Sequence, residues 1–424
     1  MERRGELQCS VLITTNCSAM CTKTVQYVVG LTGVKECCTC KPFASSQKIQ
    51  STLMLAQKNG LSTGIVTNTR ITHATPAACY AHSTDRSYEF DSLVSPSDSS
   101  FVCEDIASQL ITNGLDFNVI LAGGSRMFYQ NASAVTPEMP GSRTDGKNLF
   151  EHWLREQQTR NRAHKLVFNA EELRKLNLSE IDHLLGLLAP DHLDYEVHRA
   201  DQPSLSELTE IAVKILSRNP KGYLLLVEGG RIDHGHHANR AKYALTETLA
   251  LEEAVNTATK HVNFDETLMV VTADHSHAYG VIGYANRRTH VLVLDNILLA
   301  LDGYPYLISA YSSGPGGSPK KPRGDPSNDR IFEDEYRQQA LVPLASGTHA
   351  ADDVPLYATG PFSQLFHRPM DNTYVAHATM FALCLEEYKG EPHCTRRSTS
   401  PKTYMCPYQL LFLIGARILL TNFM

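Results

Sequence analysis

The chain has 424 residues, 42% of them hydrophobic and 20% charged, which suffices for one large domain or two of ordinary size with a sizeable buried core. Its formal net charge is −6 and it has no long basic run. Phosphate-backbone electrostatics therefore cannot drive binding, and a nucleic-acid partner is excluded.

The opening residues, Met1-Glu-Arg-Arg-Gly-Glu-Leu-Gln-Cys-Ser, carry charge but no apolar run of signal-peptide length. Six of the eleven cysteines lie in the first forty residues, at Cys9, Cys17, Cys21, Cys37, Cys38 and Cys40. Residues 1–46 are accordingly set apart as an atypical cysteine-rich segment. From residue 47, helical periodicity alternates with short apolar runs, which predicts an α/β fold. In it a largely parallel central β-sheet is flanked by helices on both faces.

The predicted strands are Ser62-Thr-Gly-Ile-Val-Thr, Phe117-Asn-Val-Ile-Leu-Ala, Tyr223-Leu-Leu-Leu-Val and Thr267-Leu-Met-Val-Val-Thr. They are short, apolar and mostly β-branched, as expected of strands covered on both faces. Apolar spacing of three and four predicts helices over 47–59, 104–113, 204–217 and 239–260. The Gly-, Pro- and Ser-rich stretch 312–334 reads as a surface loop or a small excursion from the core, within a surface excursion near 283–345. The main domain ends near residue 395, and 396–424 form a polar spacer and an apolar tail. Small residues, spacer and tail come in the order of a glycolipid-anchor signal; because Arg417 interrupts the tail, a buried C-terminal helix or strand is the rival reading. Sequons at Asn131 and Asn177, and a Cys384/Cys394 spacing suited to a small disulfide loop, point to an extracellular setting.

Two clusters carry chemistry. In Leu226-Val-Glu-Gly-Gly-Arg-Ile-Asp-His-Gly-His-His a strand ends at Glu228, and Asp233 and His237 follow at the four-residue spacing that shares a helix face. In Thr267-Leu-Met-Val-Val-Thr-Ala-Asp-His-Ser-His a second strand delivers Asp274 and His275. Open α/β sheets place their sites at the carboxyl ends of strands, so both clusters fall at one edge. Mixed carboxylate and imidazole sets suit zinc and harder ions, and two ions about 4 Å apart could clamp a phosphoryl transfer. No His-Glu-x-x-His run occurs, which excludes the common metalloprotease motif. Ile71-Thr-His-Ala-Thr-Pro adds a histidine and a hydroxyl. Tyr80-Ala-His-Ser-Thr-Asp-Arg ends in Arg86, which could grip a phosphate or serve in a surface ion pair, and Ser346-Gly-Thr-His sets His349 in a loop.

Over about residues 47–395 the chain resembles the animal alkaline phosphatases, through Val227-Glu-Gly-Gly-Arg-Ile-Asp-His-Gly-His-His, Val271-Thr-Ala-Asp-His-Ser-His and Thr348-His-Ala, in the family's order. The resemblance implies two zinc ions and one magnesium ion. Asp233, His237 and His349 would hold the first zinc, Asp274 and His275 part of the second, and Thr75 and Glu228 the magnesium. Arg86 would bind the substrate phosphate, with His73, His234 and His277 close by. It further implies a homodimer, attached by a lipid to the outer face of the cell membrane, that hydrolyses small phosphomonoesters through a phosphoserine. Cys384 with Cys394 fits the family's C-terminal disulfide, and Cys103 lacks its usual partner. For calcium, Glu172 matches one ligand, but Ala189 and Gln202 replace acidic ones.

The family opens with a strand whose Asp bridges zinc and magnesium, and that strand is absent here. Its nucleophile segment resembles Ser18-Ala-Met-Cys-Thr-Lys-Thr-Val, which nominates Ser18, whereas counting back from Lys35 in Leu31-Thr-Gly-Val-Lys puts Lys23 at that position. The nucleophile is thus open, and two readings compete: a phosphatase, impaired or intact, and a non-catalytic surface protein of the same fold that binds metal or phosphate. A purely structural zinc module is disfavoured, because the ligands converge with Arg86 on a strand edge without a closed four-ligand spacing.

Overall fold

The computed structural model describes residues 23–94, 103–133, 136–137, 140–295, 297–318 and 322–395, and the backbone of 409–414. In chain order the strands are β1 (Ser62–Arg70), β2 (Val119–Gly123), β3 (His164–Val167), β4 (His183–Leu187), β5 (Tyr223–Glu228), β6 (Thr267–Thr272), β7 (Ser276–His277), β8 (Tyr279–Val281), β9 (Ser309–Gly314), β10 (Ala340–Pro343), β11 (His349–Ala350), β12 (Tyr357–Thr359) and β13 (Gln409–Ile414). The main helices are α1 (Thr52–Lys58), α2 (Ala74–Ala77), α3 (Ile106–Asn113), α4 (Leu149–Thr159), α5 (Ala170–Arg174), α6 (Leu205–Leu216), α7 (Arg231–His237), α8 (Ala241–His261) and α9 (Thr373–Ala382).

One sheet runs β12-β6-β13-β5-β1-β2-β4-β3, parallel throughout except for β12, which pairs antiparallel with β6. Strand residues alternate between two cores, as the two-residue period of a strand requires. Ile65, Leu224, Leu226, Leu268 and Val270 pack with residues of α1, α3, α4 and α9. Val66, Leu225, Val227, Met269 and Val271 pack with α6 and α8. Helix starts follow local chemistry: Ser51, Asp105, Asn148 and Ser204 each accept a backbone N–H from the first turn through the side chain, as N-caps do. The predicted helix over 47–59 accordingly begins only after Ser51.

Of four further expectations, one needs correction. The stretch 312–334 belongs to a small excursion: it enters in β9, which lies between β8 and β10 in a separate three-stranded sheet, and has a 3-10 turn at Pro326–Asn328. The helix expected over 239–260 is present as α8, and α7 packs against it through Gly235. A Cβ there would lie 2.6 Å from the backbone nitrogen of Ala244, so only glycine allows this approach. Cys103 does have a partner, since it is bonded to Cys40 from the cysteine-rich segment. Finally, the apolar tail read as an anchor signal supplies β13, in line with the rival reading of a buried strand. Leu410–Ile414 pair with Leu224–Glu228 on one side, and Gln409–Ile414 with Thr267–Thr272 on the other.

The front segment is also built in. Val28, Val29 and Leu31 are buried, Val29 bridges Ser83, and the Arg86 amide donates to the Tyr27 carbonyl at 2.8 Å. Bonds Cys37–Cys38 and Cys384–Cys394 complete the disulfides among the described residues.

Candidate metal centre

The centre is assembled at the carboxyl edge of the sheet. β5 ends at Glu228, the Gly229-Gly230 turn follows, and α7 then carries Asp233 and His237 on one face. β6 ends at Thr272 and leads through Asp274 and His275 to β7, whose His277 is paired with His349 of β11. That short antiparallel pair brings a residue from a loop distant in sequence into the centre.

Asp233 is its hub. Its Oδ1 lies 2.5 Å from His277 Nε2, 3.3 Å from His237 Nε2, 3.3 Å from His349 Nε2 and 3.9 Å from His275 Nε2. One ligand atom from each of Asp233, His237, His277 and His349 falls within 4.8 Å of the others, a spread that could hold a metal ion. Backbone carbonyls set the tautomers. His237 Nδ1 donates to the Gly347 carbonyl at 2.5 Å, so its Nε2 carries a lone pair, 3.1 Å from His349 Nε2. His275 Nδ1 donates to the Ser276 carbonyl at 3.1 Å, which turns its Nε2 lone pair toward Asp274 Oδ2 at 3.2 Å. Lone pairs facing a carboxylate and one another repel unless a cation lies between them, so the donor set fits metal ions. Burial lowers the pKa of His275 and His277, which keeps both neutral. Burial alone would raise the Asp233 carboxyl, but hydrogen bonds from His277 and His349 outweigh it and hold the group well below the usual carboxylate range.

Beside this group, Glu228 is buried, and its Oε2 accepts from Thr67 Oγ1 at 2.6 Å and from Thr69 Oγ1 at 3.3 Å. Thr75 also hydrogen-bonds to it; burial, the dominant influence, pushes the carboxyl up to about 7. Thr67 and Thr69 were missed by the sequence reading, although their two-residue spacing at the end of β1 places them on one face. This all-oxygen cluster suits a hard cation.

Arg86 lines a cavity of about 360 Å³ with Tyr27, Cys38, Arg70 and His73. Arg70, also missed, is held by Glu89 through Nε at 2.7 Å and Nη2 at 2.6 Å, and by Asp191 through Nη1 at 2.7 Å. His73 and His234 form a ring cluster with His192, with centroids 4.5–5.3 Å apart. His192 went unnoticed, although it follows β4 at the same edge of the sheet. Ser18 lies outside the described residues. Lys23, its rival in register, is ion-paired with Asp371 at 2.5 Å. Of the incomplete calcium set, Glu172 accepts the Phe168 amide and Gln202 the Asp194 amide.

The family model for alkaline phosphatase matches residues 13–385. The chain belongs to the alkaline phosphatase family. It is 40% identical to the tissue-nonspecific alkaline phosphatase of Felis catus over 363 residues, covering 83% of this chain and 68% of that one. To the alkaline phosphatase of Gadus morhua it is 39% identical over 346 residues, covering 80% and 72%. Among solved structures, the cold-active alkaline phosphatase of a Shewanella species superposes with a TM-score of 0.57 at 21% identity, covering 90% of this chain and 87% of that one. The enzyme of the Antarctic bacterium TAB5 gives 0.55 at 20%, with 86% and 81% covered. These two likenesses carry the fold. Family membership makes the chain a metal-dependent phosphoric monoester hydrolase by class.

Proposed function

We propose that this chain hydrolyses phosphate monoesters with two zinc ions and one magnesium ion, through a phosphoserine for which Ser18 is the candidate to be tested. The observation that carries the reading is the convergence of Asp233 with His237, His277 and His349 at the sheet edge. Asp233, His237 and His349 are assigned to one zinc, Asp274 and His275 to the other, and Thr75 and Glu228 to magnesium. When bound, such ions lower the charge on the attacking and leaving oxygens of an in-line displacement.

The protein's own groups do the rest. The Gly347 carbonyl fixes the His237 tautomer, and His277 holds the Asp233 carboxylate by donating to it. Arg86, in the cavity wall, offers two parallel N–H groups to the substrate phosphate. If Ser18 is the nucleophile, its hydroxyl oxygen forms the new P–O bond as the ester P–O bond breaks, its proton passing to solvent and the leaving alkoxide departing as the alcohol. The disulfides fit an oxidising compartment outside the cell, and a homodimer remains part of the proposal. The tail is assigned to the fold rather than to an anchor, since β13 is paired on both sides.

One observation favours the second reading, a metal- or phosphate-binding protein without turnover. The strand between β5 and β6 ends at Ile414, which pairs with both Glu228 and Thr272. That strand, Gln409-Leu-Leu-Phe-Leu-Ile, contains no acidic residue, so it brings no carboxylate to the ends of β5 and β6 where the two metal groups lie. Hydrolysis of a chromogenic phosphomonoester at pH 9 to 10 with zinc and magnesium separates the readings. Turnover lost in both His237→Ala and Ser18→Ala is the expected result. Bound zinc without turnover in the natural sequence would establish the second reading.

A further inference from the structure

The crowded cysteines of the front segment have no part in the phosphatase chemistry, yet one of them stands in the wall of the phosphate cavity. Cys38 lines that cavity with Arg70, His73 and Arg86, and it is bonded to its neighbour Cys37. Its amide donates to the Thr84 carbonyl at 3.0 Å, which ties this turn to the segment leading to Arg86.

The three disulfides among the described residues differ in how well they are protected. Cys40 is buried and bonded to Cys103 across 63 residues, and Cys384–Cys394 closes a span of 10. Cys37–Cys38 closes a span of one and includes an exposed cysteine, Cys38. A cross-link constrains the unfolded chain less as its loop shortens, so opening this one costs the fold least. Access decides which sulfur a thiolate attacks, and Cys38 is more exposed than Cys37.

We propose that the Cys37–Cys38 bond is a thiol-modification site that closes the phosphate cavity when it reacts. The thiolate of a small thiol attacks Cys38 Sγ, and a new sulfur–sulfur bond forms there as the Cys37–Cys38 bond breaks. The electron pair leaves on Cys37 Sγ, which takes up a proton. One thiol is consumed and no outside oxidant is needed. The group carried on Cys38 then occupies the space beside Arg86 that a phosphate needs.

The blocking half of this proposal rests on the assignment of Arg86 to phosphate; the chemistry at Cys38 does not. The test treats the full chain with glutathione, maps the adduct by peptide mass, and measures inorganic phosphate binding by calorimetry before and after. The expected result is an adduct on Cys38 with both Cys40–Cys103 and Cys384–Cys394 intact, slowed several-fold by phosphate and followed by loss of phosphate binding. The double variant Cys37→Ser with Cys38→Ser takes no adduct at position 38, and glutathione leaves its phosphate affinity at the value it has without glutathione. Reaction at Cys384 or Cys394 in preference to Cys38 overturns the proposal, as does an adduct on Cys38 that leaves phosphate binding intact. An adduct on Cys38 in a chain that never bound phosphate overturns the blocking half together with the role of Arg86, while the reactivity of the pair stands.

Discussion

His277 donates through Nε2 to Asp233 Oδ1 at 2.5 Å, while its other ring nitrogen is buried with no hydrogen-bond partner among the described residues. Its proton is therefore committed to the carboxylate, which makes His277 a positioning residue for Asp233 rather than a zinc ligand. Such outer partners typically change metal affinity 10- to 100-fold, at order-of-magnitude precision. His277→Ala is expected to weaken zinc binding by roughly that factor, measured by competition with a chelating dye. An unchanged affinity would remove His277 from the centre.

Glu247 shows how a buried acid ties stability to pH. It is 1% exposed, and its oxygens accept the Asn68 side-chain amide at 2.8 Å and the Glu196 backbone amide at 2.6 Å. Burial dominates and pushes the carboxyl from 4.5 up to about 7. The folded state thus holds this proton more tightly than the unfolded one. Its contribution to stability is whole below about pH 4.5 and is lost as pH rises to about 7, by roughly 3 kcal/mol at 1.36 kcal/mol per pH unit. Thermal melting from pH 4.5 to 8 should show this loss in the natural chain and a shallower one in Glu247→Gln. The variant's absolute stability carries an offset, because a glutamine amide would face the donating amide of Asn68.

The Cys40–Cys103 bond joins the front segment to the main domain across 63 residues. Loop-closure entropy over that span gives about 4 kcal/mol. Cys103→Ser is expected to lower the urea midpoint accordingly and to make residues 23–50 the first site of limited proteolysis. A midpoint within error of the natural chain would mean that the segment is held by the burial of Val28, Val29 and Leu31 alone.

The sheet was legible in the sequence because β1, β2, β5 and β6 are short apolar runs with a turn signal at their ends, and their burial on both faces leaves no other arrangement. Asp233 with His237, and Asp274 with His275, were legible because each pair follows such a strand directly. What escaped was of two kinds. Arg70 and His192 take their roles from contacts across 122 residues, Arg70 Nη1 standing 2.6 Å from His192 Nε2, and no local pattern encodes such a meeting. The pairing of Cys40 with Cys103 and the place of β13 also join distant segments, and sequence spacing says nothing about which sheet slot needs a strand.

That slot is the strongest case. β5 and β6 flank β13, and all three run parallel, so removing the tail would expose the inner edges of two central strands together. Each edge would then present unpaired N–H and C=O groups in the middle of the core, where neither water nor a side chain can satisfy them. A chain ending at residue 395 is therefore expected to be insoluble or to aggregate on expression. Proline is excluded from central strands because it cannot donate to the ladder, so Leu411→Pro should act in the same direction without shortening the chain. Far-ultraviolet circular dichroism and size-exclusion chromatography of both variants check this. A soluble, cooperatively melting chain of residues 1–395 would show that the sheet closes without β13 and would free the tail for processing as an anchor signal.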